Sequence, residues 1–201
     1  KNINFKILKG DIISISGPSG SGKSTLLNII GLLDSEFTGD YFFLDNNIHH
    51  YDLTIKSKLR NRSIGFVHQF FHLISDLNVL ENVALPSMIN HTSYKETINK
   101  AKDILINFGL IDRLYSNPKN LSGGEKQRVS IARALINNPD IIIADEMTGN
   151  LDKKTSDFIF DFFLKKIKSN NQTLIYVTHN DNYAKKANRI YEISNQNLIE
   201  L

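Results

Sequence analysis

An α/β fold with a mainly parallel sheet is predicted from three observations along this chain. Short apolar runs recur between helical stretches; one of them leads into a glycine-rich loop that opens a helix; another ends in two adjacent carboxylates. Strands separated by helices favour parallel pairing, because a parallel connection needs room for a crossover.

Residues 3–7 alternate apolar and polar side chains, and residues 12–16 form a β-branched run before the glycine loop; both read as strands. Residues 24–33 read as a helix opening from that loop. Further strands are expected at 41–44, 64–68, 141–144 and 174–178. Between about residues 79 and 138 the strand signals give way to helical ones, punctuated by Pro86, Pro118 and the Ser122-Gly123-Gly124 turn. That stretch reads as a helical subdomain inserted into a core made of about residues 1–78 and 139–201. At 201 residues the chain suits one large domain of that kind. Repeats, heptad arrays and low-complexity linkers are absent from the sequence.

Composition narrows the function classes. The 41% hydrophobic and 22% charged content is that of an ordinary soluble domain. Without cysteine there is neither a disulfide nor a thiolate metal site, which suits a reducing compartment. Apolar runs such as residues 26–33 fall far short of a membrane span of about 20 residues. Membrane association is therefore expected through a partner. A net charge of +3 is too small to argue for nucleic acid. Lys1-Asn2-Ile3-Asn4-Phe5 carries no amino-terminal signal and reads as already inside a strand.

The loop Gly17-Pro18-Ser19-Gly20-Ser21-Gly22-Lys23-Ser24-Thr25 binds phosphate in this strand-to-helix context. Glycines let backbone N–H groups turn inward without a Cβ in the way, and the helix start adds partial positive charge. Lys23 is expected to reach the β- and γ-phosphates of a nucleoside triphosphate, and the Ser24 hydroxyl to coordinate Mg²⁺. A surface turn rich in Gly and Ser would match by accident only without the flanking strand and helix.

Asp145 and Glu146 close the apolar run 141–144, at the strand end where ligands sit in open α/β sheets. Neighbouring strand residues point to opposite sides, so one carboxylate can serve a metal and the other a water. Asp145 is the expected Mg²⁺ ligand, acting through a water, and Glu146 the group that polarises the attacking water. The pair alone does not separate this reading from two solvated acids.

Residues 125–136 place Val129, Ala132 and Ile136 on one helical face, with Ser122-Gly123-Gly124 at the helix start. Free amides there suit a second phosphate, although Ser-x-x-Glu is also ordinary capping chemistry.

With Leu121-Ser122-Gly123-Gly124-Glu125-Lys126-Gln127-Arg128 standing between the phosphate loop and the carboxylates, the chain resembles the ATP-binding subunits of ABC transporters over essentially its whole length. The resemblance implies a small antiparallel β part near the N-terminus. It also implies a head-to-tail homodimer in which Ser122, Gly123 and Gly124 face the partner's ATP. By the same resemblance Gln69 is a Mg²⁺ contact that senses a transmembrane partner, and His179 contacts the γ-phosphate or the attacking water. Asn150-Leu151-Asp152 matches the loop that crosses the dimer interface. Proline usually follows the glutamate; Met147 stands there and could loosen the turn that aims Glu146. The family's adenine-stacking aromatic precedes the first strand, so the sequence is expected to begin inside the natural protein. His49, His50, His72 and His91 lack metal-ligand spacing.

Gln69-Phe70-Phe71-His72-Leu73, followed by Glu81-Asn82-Val83-Ala84-Leu85-Pro86, resembles the branch that contains the lipoprotein-releasing system, macrolide exporters and the cell-division complex. His68 departs from the aromatic or apolar residue usual there. Together with residues 144–152, the pattern is most similar to the lipoprotein-releasing ATPase. The implied protein is peripheral, on the cytoplasmic face of a bacterial inner membrane, bound to integral membrane subunits, with ATP and Mg²⁺ and no nucleic acid. The alternatives are a macrolide-type exporter, a cell-division regulator, or a soluble ATPase acting on nucleic acid. The last is disfavoured by the single cassette, by the short spacing from Gln69 to Leu121, and by the lack of a basic stripe. A phosphate-loop kinase would have no reason to carry residues 121–128.

Overall fold

The computed structural model describes residues 3–90, 92–194 and 196–201. Five-residue strands β1 (Ile12–Ser16), β4 (Ile64–His68), β5 (Ile141–Asp145) and β6 (Thr173–Val177) form the parallel heart of a six-stranded sheet. With β7 (Arg189–Ser194) and β8 (Asn197–Glu200), the order is β4-β5-β6-β1-β7-β8, and only the β7–β8 pair is antiparallel. β5 shows why the strand is apolar throughout. Ile141 and Ile143 face one core cluster while Ile142 and Ala144 face another, so the sheet is covered on both sides.

On one side lies α1 (Lys23–Ile30), contributing Leu27 and Ile30, beside Phe43 and Ile48. On the other side pack α3 (Val79–Ile89), α4 (Tyr94–Asn107), α5 (Gly123–Leu135) and α6 (Lys153–Ser169). The α6 stretch buries Ile159, Phe160, Phe163, Leu164 and Ile167 at helical spacing, starting from an Asp152 cap that accepts from the Thr155 amide. Truncating Ile142, fully buried, to alanine would cost about 2–5 kcal/mol. α2 (Leu53–Ser63) leads into β4, and α7 (Asp181–Ala184) follows β6.

Three sequence expectations change. Residues 3–7, expected as a strand, form none. The Lys6 carbonyl accepts from Arg189, and the Leu8 amide donates to the Asp11 carboxylate. The strand at 41–44 shrinks to β2 (Phe42–Phe43), paired antiparallel with β3 (Asn46–Asn47). Leu44 and Asp45 form the two-residue loop with φ of 47° and 63°, the mirror-image turn that suits strand twist. This hairpin is the small antiparallel part. Finally, α1 stops at Ile30, where the Gly31 amide caps back onto Leu27 O, and a Cβ on Gly31 would lie 2.4 Å from the Phe66 ring. Among the described residues no helix is long and apolar enough to cross a membrane.

Candidate functional site

The glycine loop joins β1 to α1, and Gly17, Gly20 and Gly22 take φ of 141°, 77° and 100°, a region costly for other residues. A Cβ on Gly17 would also strike the Ile193 carbonyl at 2.6 Å. Gly22 caps α1 without any side-chain bond, so among the described residues no side chain caps the amides of the first helical turn. Pro18, Ser19 and Gly20 are exposed along the loop, as are Ser24 and Thr25 at the helix start, while Ser21 is half-buried. Lys23 is buried, and its Nζ donates to the carbonyls of Gly17 and Pro18, each at 2.9 Å. The loop is thus closed over its own lysine in this structure.

Ser24, on the first turn of α1, donates its hydroxyl to Asp145 Oδ2 at 3.3 Å across 121 sequence positions. Burial raises the Asp145 pKa; the Ser24 bond opposes that rise and the neighbouring Glu146 adds to it. One hydroxyl and one carboxylate form a sparse, all-oxygen donor set. That fits Mg²⁺, which keeps several waters and takes further ligands from substrate phosphates. Among the described residues no group of three or more His, Asp or Glu could hold a metal by itself.

Glu146 adopts φ of 43°, which turns the chain sharply just beyond β5. Its amide donates to Val177 O at 3.2 Å, and its carbonyl accepts from the Gly149 amide at 2.9 Å. Met147 sits in the core cluster, 4% exposed. The turn without proline is therefore held by these two bonds and by burial of the next side chain. His179, just past β6, places Nε2 2.9 Å from Glu146 Oε1.

Gln69 follows β4 and meets Asn150 rather than Asp145. Its carbonyl accepts from Asn150 Nδ2 at 3.0 Å, and its own Nε2 lies 3.5 Å from Asn150 Oδ1. His68 is the parallel-register neighbour of Asp145, stacked on Phe66, and burial is the main cause of its lowered pKa. His91 lies outside the described residues.

Ser122 caps α5 with a reciprocal arrangement: the Glu125 amide donates to Ser122 Oγ, and Glu125 Oε2 accepts from the Ser122 amide at 2.8 Å. Arg113 braces the same carboxylate at 2.9 Å. Ser122, Gly123 and Gly124 line a cavity of about 370 Å³ with Asn150, Leu151 and Asp152; no phosphate-loop residue borders it. Both glycines allow close packing, since a Cβ on Gly123 would meet Leu151 at 2.9 Å and one on Gly124 would meet Thr155 at 2.8 Å. The two glycine-containing helix starts therefore differ: α1 has no side-chain cap, whereas α5 is capped by Ser122.

Residues 1–149 match the protein family described as ABC transporter. The chain belongs to that family. Among similar curated proteins are two named lipoprotein-releasing system ATP-binding protein LolD. The one from Wigglesworthia glossinidia brevipalpis is 46% identical over 98% of this chain and 86% of its own length. The one from Rickettsia bellii is 45% identical over 96% of this chain and 85% of its own. Among solved structures, the ATP-binding cassette MJ0796 as a post-hydrolysis dimer bound to ADP and Pi superposes with a TM-score of 0.90. It is 41% identical, covering 100% of this chain and 89% of that one. A second dimeric structure of the same cassette gives 0.88 at 42% identity, covering 98% and 87%. The phosphate loop, the carboxylate pair, Gln69 and residues 121–128 all fall inside the matched region of this family member; His179 lies beyond it.

Sequence reasoning missed the Asn150–Gln69 contact and the Arg113 brace. The residues Gly149-Asn150 were legible as a motif, but nothing local signals which distant loop they touch.

Proposed function

We propose that this chain is the ATP-binding and ATP-hydrolysing subunit of an ABC transporter that releases lipoproteins from the inner membrane toward the outer membrane. The observation that carries the ATPase reading is the convergence at the strand ends: Ser24 with Asp145, and Glu146 with His179, beside an uncapped helix start. The lipoprotein assignment is supported by relatives of that name matching nearly the whole chain. It is preferred over a macrolide exporter or a cell-division complex.

In this reading the backbone amides of residues 19–25 receive the triphosphate, and Lys23 exchanges the Gly17 and Pro18 carbonyls for phosphate oxygens. Ser24 and Asp145 would hold Mg²⁺, with Gln69 joining them. The ion would supply charge neutralisation of the phosphates. Glu146 orients and polarises the attacking water, and His179, already paired with Glu146, holds the γ-phosphate side. Ser122, Gly123 and Gly124 serve the nucleotide of a second copy, so ATP joins two chains. The whole chain acts as one ATPase domain, with a core of about residues 1–78 and 139–201 and a helical subdomain at about 79–138. It works on the cytoplasmic face of the inner membrane, bound to integral membrane subunits and not to nucleic acid.

The test is to purify the native complex, identify its membrane subunits, and measure ATP-dependent lipoprotein release. ATP hydrolysis with release supports the reading in full. Hydrolysis with a drug exporter or division protein as partner would retain the ATPase and overturn the substrate.

A further inference from the structure

Gln69 and Asn150 lie 81 positions apart, yet they share two contacts. Donation from Asn150 Nδ2 to the Gln69 carbonyl at 3.0 Å sets the orientation of the asparagine amide, leaving Oδ1 for Gln69 Nε2 at 3.5 Å. The first bond is short and holds backbone; the second is at the limit of a hydrogen bond and holds the side-chain amide loosely. Gly149 makes room for this. A Cβ there would lie 2.7 Å from Gln69 Nε2, so a larger residue would force the end of the glutamine side chain to shift. The same glycine's amide donates to the Glu146 carbonyl, linking the Gln69 platform to the turn that aims Glu146.

The loop after Gln69 is braced elsewhere. Arg133 donates to the carbonyls of Phe71 and His72, and the buried Asn82 side chain holds both the amide and the carbonyl of Ile74. Asn150 therefore supplies at Gln69 itself the restraint that Arg133 and Asn82 supply further along.

We propose that Asn150 is a positioning residue for Gln69. It pins the Gln69 backbone beside Gly149 while leaving the side-chain amide free to leave Asn150 for the reacting centre. The proposal rests on the ATPase reading above. It differs from a role at the partner-facing cavity, which Asn150 also lines.

A double-mutant cycle separates the two roles, because coupled residues lose their effect on one another's removal. Asn150→Leu keeps the branched outline, though larger, and removes both hydrogen bonds; Asn150→Asp keeps shape and an acceptor but loses the donor. Both are expected to lower kcat for ATP hydrolysis about tenfold, the scale of a modest misplacement. ATP affinity should stay within about twofold, since the phosphate loop is untouched. In a Gln69→Ala background, adding Asn150→Leu should change kcat no further. Equal loss in both backgrounds would overturn the proposal. So would unaltered kcat in Asn150→Leu, or a defect confined to ATP-driven dimerisation measured by light scattering. A wild-type chain that binds ATP but never hydrolyses it would overturn the ATPase reading, and this proposal with it.

Discussion

Glu146 Oε1 lies 2.9 Å from His179 Nε2, across the ends of two adjacent parallel strands. The contact ties the acid beyond β5 to the histidine beyond β6. Glu146→Gln preserves shape but removes the carboxylate proposed to polarise the attacking water. ATP binding should survive, while hydrolysis should slow by about 10²-fold or more. A steady-state phosphate-release assay decides it, and a wild-type rate would move water activation to another residue.

Lys23 spends its hydrogen bonds on two loop carbonyls and supports no part of the hydrophobic clusters. Lys23→Ala should therefore abolish ATP binding with little change in thermal unfolding. Nucleotide titration alongside a melting curve tests both halves of that statement.

The α5 cavity is bordered by no residue of the phosphate loop, and in the proposed dimer it would face the partner's nucleotide. Glu146→Gln with ATP and Mg²⁺ should dimerise by light scattering, whereas ADP, lacking the γ-phosphate, should leave monomers. Adding Ser122→Arg should prevent dimerisation by filling the cavity and removing the cap. Persistent dimers would place the interface elsewhere.

Glu125 is held below the ordinary glutamate pKa, chiefly by the Ser122 amide and further by the Ser122 hydroxyl and Arg113. A depressed acid stabilises the fold above its unfolded value and loses that contribution as the pH falls through its folded value. Wild type should thus exceed Glu125→Gln in stability by about 0.3–1 kcal/mol near neutrality, the scale of a charge at a helix start. The gap should close below the ordinary glutamate range. Urea unfolding at several pH values measures it; a gap independent of pH would assign the cap to hydrogen bonding without charge.

Phe70 and Ile74 are exposed at 64% and 41%, while Leu73 packs against the core cluster. Of the apolar residues after Gln69, the exposed two are the candidates for contact with a membrane subunit. Phe70→Glu should lower partner-stimulated ATPase activity severalfold and spare the basal rate of the isolated chain. A parallel fall in both rates would make Phe70 part of the ATPase itself.

Legibility in the sequence followed the range of the forces involved. The apolar run at 141–144 and the glycines at 17, 20 and 22 could be read directly, because strand burial and positive φ are demands on neighbouring residues. Residues 3–7 misled: their alternation has the strand period, but no strand forms there, and Arg189 takes the Lys6 carbonyl. The Leu44-Asp45 turn was invisible because neither residue is the glycine or asparagine that usually marks it.

By itself, the sequence determined which motifs are present and in what order: a glycine loop opening a helix, a strand-end acid pair and a second, serine-capped helix start. Each of these depends on a few adjacent residues. Only the tertiary structure decided what meets what. The β5-β6 pairing brings Glu146 to His179, the packing of α1 under the sheet brings Ser24 to Asp145, and Gly149 lets Gln69 reach Asn150. These partners are separated by tens of residues to more than a hundred, and the strand order that joins them is set by burial on both sheet faces, which no local pattern encodes.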